Sequence, residues 1–203
     1  MQQTQPTLFG KLSALAAGLA LSGAVLAAEP AMPQVELKTT MGDIVVELNH
    51  DKAPKTVDNF LAYVKSGFYK GTIFHRVIDG FMIQGGGIDE KLHQKPTNKP
   101  IPLESKNGLS NVKYSLAMAR MADPNSATSQ WFINVEDNTP LDAPGPDGSG
   151  GYAVFGRVVK GQEVVDKIKG VLVDDKGIFQ NIPVVPVVVK SATILKTPIQ
   201  PKM

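Results

Sequence analysis

The stretch Phe74-His75-Arg76-Val77-Ile78-Asp79-Gly80-Phe81-Met82-Ile83-Gln84-Gly85-Gly86 decides the fold. Thr72 to Ile78 is rich in β-branched and aromatic residues and reads as a strand. Asp79-Gly80 is a strong two-residue hairpin signal, and Phe81 to Gln84 is the returning strand, ended by Gly85-Gly86-Gly87. Side chains alternate across a strand, which puts Phe74, Arg76 and Ile78 on one face and His75 and Val77 on the other. A cation on an apolar strand face needs a reason, because an unpaired buried charge is costly. A structural ion pair is one reason, and a chemical role is the other.

The pattern continues outward from this hairpin. Val35 to Thr39 and Ile44 to Leu48 alternate with period two around the turn Thr40-Met41-Gly42-Asp43. Pro54 opens a helix, since its missing N–H costs nothing at the first helical position. Val57, Phe60, Leu61 and Val64 make one apolar stripe, and Gly67 is the stop. Further strands are expected at 113–119, 130–135 and 152–159. A second helix follows at 161–169, with Val164, Val165 and Ile168 inward. The last strand region, 184–195, is confined by Pro183 and Pro186 to an edge or an irregular start. Long loops are expected at Gly85–Pro102, Arg120–Ser129 and Glu136–Gly151, and loops of this length are functional or mobile as a rule. Many short strands with two short amphipathic helices predict a mainly β, closed antiparallel barrel plugged by helices.

Composition bounds the function. A chain of 203 residues, 42% hydrophobic and 20% charged, suits one domain with a proper core. A net charge of +2 with scattered basic residues gives no footprint for nucleic acid or a membrane surface. The absence of cysteine excludes disulfides, thiolate nucleophiles and Cys-ligated metals, and suits an oxidising compartment. Lys11, the uncharged run Leu12–Leu26 and the small-residue end Val25-Leu26-Ala27 read as a cleavable signal peptide. The run falls short of the ~20 residues that span a bilayer, which argues against a membrane anchor. The expected organisation is a signal peptide at 1–27, a flexible mature terminus at 28–34, one domain at 35–197 and a tail at 198–203, in a periplasmic monomer.

The Phe74–Gly86 segment resembles the signature of the cyclophilin family of peptidyl-prolyl cis/trans isomerases. Ser129-Gln130-Trp131-Phe132-Ile133 resembles the family's other hallmark strand, and Gly151-Tyr152-Ala153-Val154-Phe155-Gly156-Arg157-Val158 its late strand. The likeness runs from Val35 to Leu195, nearest to the bacterial periplasmic branch. It implies an eight-stranded barrel with a helix over each end, and an isomerase that assists folding of exported proteins. It implies Arg76 as the catalytic donor, and Ile78, Phe81, Met82, Phe132, Leu141 and Tyr152 around the proline. Gln84 matches the partner that binds the substrate carbonyl and orients the arginine. Ala119, Arg120 and Met121 match the segment that binds substrate backbone, while His75 and Gln130 are supporting residues. The implied partners are proline-containing unfolded or partly folded polypeptides, with no cofactor.

Two departures are visible. Pro140 stands where many eukaryotic members carry a Trp linked with tight cyclosporin binding, so weak inhibition is expected. Tyr152 replaces the family's usual pocket His, as in the bacterial branch.

Competing readings stay beside this one. His50, His75 and His93 match no metal-ligand spacing, and His75 reads as a hydrogen-bonded structural residue. Gly85-Gly86-Gly87 lacks the Lys-Ser/Thr of a phosphate loop. A proline-binding holdase on the same barrel, with incidental catalysis, is the alternative function. Residues on such a strand are more often core than site, and only the motif context weighs against that.

Overall fold

The computed structural model describes residues 1–2, 32–145, 148 and 150–199. The signal-peptide reading at 1–27, most of the mature terminus and most of the C-terminal tail lie outside the described residues. The chain divides into a short unit, Met1–Pro30, and a second, Ala31–Met203, whose architecture follows.

Eleven strands and two α-helices are formed among the described residues. β1 (Gln34–Thr39) and β2 (Gly42–Leu48) are the first hairpin, and α1 (Pro54–Lys65) follows. Then come β3 (Thr72–Ile73), β4 (Arg76–Ile78), β5 (Met82–Gly85), β6 (Ser115–Met118) and β7 (Trp131–Asn134). A single 3-10 turn, Thr139–Leu141, precedes β8 (Val154–Lys160) and α2 (Gln162–Lys169). The chain continues through β9 (Val173–Lys176), β10 (Phe179–Pro183) and β11 (Val188–Ile194).

Nine of the strands form one antiparallel sheet in the order β3-β11-β1-β2-β8-β6-β7-β5-β4. Two differences from the expected eight-stranded closed barrel are instructive. The stretch expected as one strand, 72–78, splits in two. The backbone N–H of Phe74 donates to Val187 on the β11 side, and that of His75 to Gln84 on the β5 side. The chain thus changes partners at Phe74–His75, and the two edge strands of the sheet are neighbours in sequence. The second difference is β9 and β10, a separate two-stranded hairpin where no strand was expected. Pro183 and Pro186 mark an irregular start rather than an edge, since β11 lies between β3 and β1.

One core takes side chains from both helices and the inner face of the sheet. Val57, Phe60 and Val64 of α1 and Val164, Val165 and Ile168 of α2 join Leu37, Val46, Ile83, Leu116 and Ile133 there. Trp131 is wholly buried at its centre, edge-on to Phe60, Tyr69 and Phe74 with ring centroids 5.6–6.3 Å apart. Gly86 makes room for that ring: at φ +86° a Cβ there would sit 2.6 Å from the indole Nε1. α1 has no cap from its own flank. Glu104 serves instead, accepting from Lys55 N at 3.2 Å, Thr56 N at 2.8 Å and Thr56 Oγ1 at 2.7 Å.

Candidate active site

The register of five strands assembles the site. Arg76 on β4 stands opposite Gln84 on β5, Gln84 opposite Phe132 on β7, Phe132 opposite Ala117 on β6, and Ala117 opposite Val154 on β8. Directly opposed residues project to the same side of a sheet, so these five form one row. A second row places Ile78 beside Met82 and Met82 beside Asn134. The residues between them, Val77, Ile83, Ile133 and Leu116, point the other way into the core. Core and site occupy opposite faces of the same strands.

Sequence reasoning paired Phe74 with Arg76 on one face, and the structure corrects this. The pairing break at Phe74–His75 lets Phe74 turn into the core against Trp131.

A second apolar cluster forms on the site face. Met82, Ala117, Phe132 and Val154 are buried there, with Ile78, Phe81, Leu109, Ala119, Leu141 and Tyr152 packed around them. The six residues predicted around a proline therefore come together, joined by Ala119 of the backbone-binding segment. Tyr152 meets Phe132 edge-on, ring centroids 5.7 Å apart. Leu109, Ala117 and Val154 were missed. Each looks like an ordinary apolar residue, and only the register reveals its place.

Arg76 is half-buried beside this cluster. Among the described residues its guanidinium has no carboxylate within ion-pair distance and no hydrogen-bond acceptor. The ion-pair explanation for this cation therefore fails. Gln84 stands next to it but does not hold it: the Gln84 Nε2 donates to Gln130 Oε1 at 2.9 Å. Gln130 accordingly supports Gln84 rather than the arginine.

Arg120 is turned over the Tyr152 ring, 4.8 Å from its centroid, and its Nε donates to the Gly151 carbonyl at 2.9 Å. Its Nη1 donates to the carbonyl of Met121, whose side chain is 74% exposed. Pro140 is exposed in the 3-10 turn that carries Leu141.

His75 is buried and meets Phe179 of β10 edge-on, centroids 6.3 Å apart. Its Nδ1 has no hydrogen-bond partner. Burial lowers its pKa to about 4, the Ile73 backbone and the Gln130 side chain offset this in part, and the charge of Arg76 adds to the lowering. The imidazole is neutral near pH 7. His50 pairs with Asp58 and His93 with Asp89, so the three histidines do not converge.

An apolar cluster with an uncommitted guanidinium beside it is suited to gripping an apolar peptide segment and offering it a hydrogen-bond donor. Residues 34–194 match the family model for cyclophilin type peptidyl-prolyl cis-trans isomerase/CLD. Peptidyl-prolyl cis-trans isomerase cyp18 of Streptomyces antibioticus is 58% identical over 81% of this chain and 99% of that protein. Isomerase A of Dickeya dadantii is 53% identical over 80% and 84%, and isomerase B of Escherichia coli 52% over 79% and 98%. The crystal structure of a cyclophilin type isomerase from Cryptosporidium parvum matches with a TM-score of 0.68 at 29% identity, covering 82% of this chain and 99% of that one. The chain belongs to the cyclophilin-type peptidyl-prolyl cis-trans isomerases.

Proposed function

We propose that this chain accelerates cis/trans isomerisation of X–Pro bonds in exported polypeptides, with the proline ring in the Phe81–Met82–Phe132 pocket and Arg76 as the donor. Peptidyl-prolyl cis-trans isomerase activity itself follows from the family and its relatives. A Cryptosporidium parvum relative has been crystallised in the presence of the dipeptide Ala-Pro, which supports a prolyl ligand for the pocket. The residue roles rest on chemistry. Rotation about the amide faces a barrier of ~18–20 kcal/mol because the nitrogen lone pair is delocalised into the carbonyl. For X–Pro the two ends of the rotation are nearly balanced, so a catalyst has only the barrier to lower. No bond is made or broken.

As the amide twists, the prolyl nitrogen becomes pyramidal and regains its lone pair. An Arg76 N–H meets that lone pair, and the interaction exists only in the twisted state, so it raises the rate rather than the affinity alone. Burial of the ring against Phe132 and Met82 supplies the grip, and Gln84 is placed to donate to a substrate carbonyl. The observation that carries this reading is the half-buried Arg76 with no acid partner, in one row with Phe132. A holdase would have no use for an uncommitted cation at that position.

Arg76→Ala should lower kcat/KM for an Ala-Pro peptide by about two to three orders of magnitude. Arg76→Lys should not restore it, because a compact ammonium cannot reproduce the planar fork. Retention of more than about half of wild-type activity in Arg76→Ala would exclude the assignment. Export rests on the Lys11–Ala27 segment, and intact mass of the secreted protein should place its first residue at Ala28. A full-length chain in the membrane fraction would exclude a cleaved leader.

A further inference from the structure

Phe81, Leu141 and Tyr152 wall the pocket, yet none of them lies in a strand. Phe81 is in the β4–β5 turn, Leu141 in the 3-10 turn and Tyr152 in the segment before β8. No strand ladder fixes these three relative to one another, and one side-chain network reaches the backbone of Phe81 and Tyr152 and both flanks of Leu141. The Asn138 Nδ2 donates to the Phe81 carbonyl at 2.7 Å and to Asn134 Oδ1 at 2.7 Å. The Asn134 Nδ2 donates in turn to Asn111 Oδ1 at 3.1 Å and to Ser115 Oγ at 2.9 Å. The Asn111 Nδ2 donates to Asp142 Oδ1 at 2.8 Å and reaches the Tyr152 carbonyl at 3.4 Å. Leu141 sits between Asn138 and Asp142, and its carbonyl accepts from Tyr152 N at 2.9 Å.

Asn111 and Asn134 are wholly buried. Two buried amides behind an apolar pocket would cost stability unless every donor found an acceptor, and here both donors of each side chain do. A satisfied buried network contributes rigidity and a single arrangement more than net stability. We infer that Asn111, Asn134 and Asn138 are positioning residues, which hold Phe81, Leu141 and Tyr152 around the proline ring without touching the substrate. The inference rests on the reading of this pocket as the prolyl site. Val135 N also donates to the Phe81 carbonyl, at 3.0 Å, so Asn138 sets the tilt of that peptide rather than its attachment.

The test is a double-mutant cycle of Asn138→Ala with Phe81→Ala, reading KM and kcat on a proline-containing peptide. Asn138 is only partly buried, and its main-chain bonds to Asn111 and Leu141 survive truncation, so the variant should fold. Loss of the bonds to the Phe81 carbonyl and to Asn134 should raise KM about fivefold while kcat stays within about twofold, because Arg76 lies outside the network. In the Phe81→Ala background the same truncation should raise KM by less than about twofold, since neighbours acting through one another are not additive. Asn138→Ser, which keeps a single donor, carries the same comparison if the alanine variant fails to fold. An unchanged KM in Asn138→Ala, or an equal rise in both backgrounds, overturns the inference. If Phe81→Ala alone leaves KM unchanged, the pocket reading falls and this inference with it. If Phe81→Ala raises KM and Asn138→Ala does not, the pocket stands and the inference alone is lost.

Discussion

His75→Gln should remove most of the acid sensitivity that this one side chain gives the fold. The imidazole is buried against Phe179 with an unpartnered Nδ1, beside the cation of Arg76, and its pKa falls from 6.5 to about 4. Above pH 6.5 it is neutral in both folded and unfolded chains, and contributes no pH dependence. Between pH 6.5 and 4 the unfolded chain takes up a proton that the folded chain refuses, so stability falls as the solution is acidified. At 1.36 kcal/mol per unit, the shift amounts to roughly 3 kcal/mol, complete once the pH passes below about 4. The measurement is urea unfolding of wild type and His75→Gln at pH 7.5, 5.5 and 4. The stability difference between the two proteins should move by most of that amount towards the variant. A difference that stays constant across the series would show that the imidazole is hydrated or already charged in the fold, and would refute the reasoning.

Two further outcomes are expected. Glu104→Ala should destabilise the fold by about 1–2 kcal/mol, seen as a fall in Tm, because it leaves Thr56 Oγ1 and the first turn of α1 without their acceptor; Glu104→Gln should lose less. Cyclosporin should inhibit weakly, and Pro140→Trp should strengthen inhibition by about 5- to 150-fold through an indole donor and a larger contact face. Paired inhibition titrations decide it, and nanomolar inhibition of the wild type would contradict the placing of Pro140.

The site was legible where the signal is local. Asp79-Gly80 between two apolar runs marks the β4–β5 hairpin, although its loop takes in Phe81 as a third residue, and the alternation of Arg76 with Val77 and of Gln84 with Ile83 separates site from core within a few residues. The apolar stripe of Val57, Phe60 and Val64 likewise marks α1. What escaped depends on tertiary context. No property of Phe74 or His75 marks the point where one strand exchanges partners, because both residues are good β-formers. Asp174–Lys176 is polar and exposed, and the buried residues of the β9–β10 hairpin, Ile182 and Pro183, lie together at its end without strand alternation to betray them. The cap of α1 comes from Glu104, 48 residues beyond Thr56. Asn111 and Asn138 read as loop residues and Asn134 as the polar end of a strand, and their joint role exists only once three segments meet.

The two-faced use of β4, β5, β7 and β6 has a consequence for how this protein can be watched as it forms. A slip of one residue in any of these pairings would carry Phe132 or Gln84 to the inside and Ile133 or Ile83 to the outside. A chain paired one step out of place would therefore lack the row that sets Arg76 beside Phe132, however compact it had become. During refolding, then, regain of isomerase turnover reports correct strand alignment. Burial of Trp131 fluorescence reports collapse, and a lag of the first behind the second would time the search for alignment.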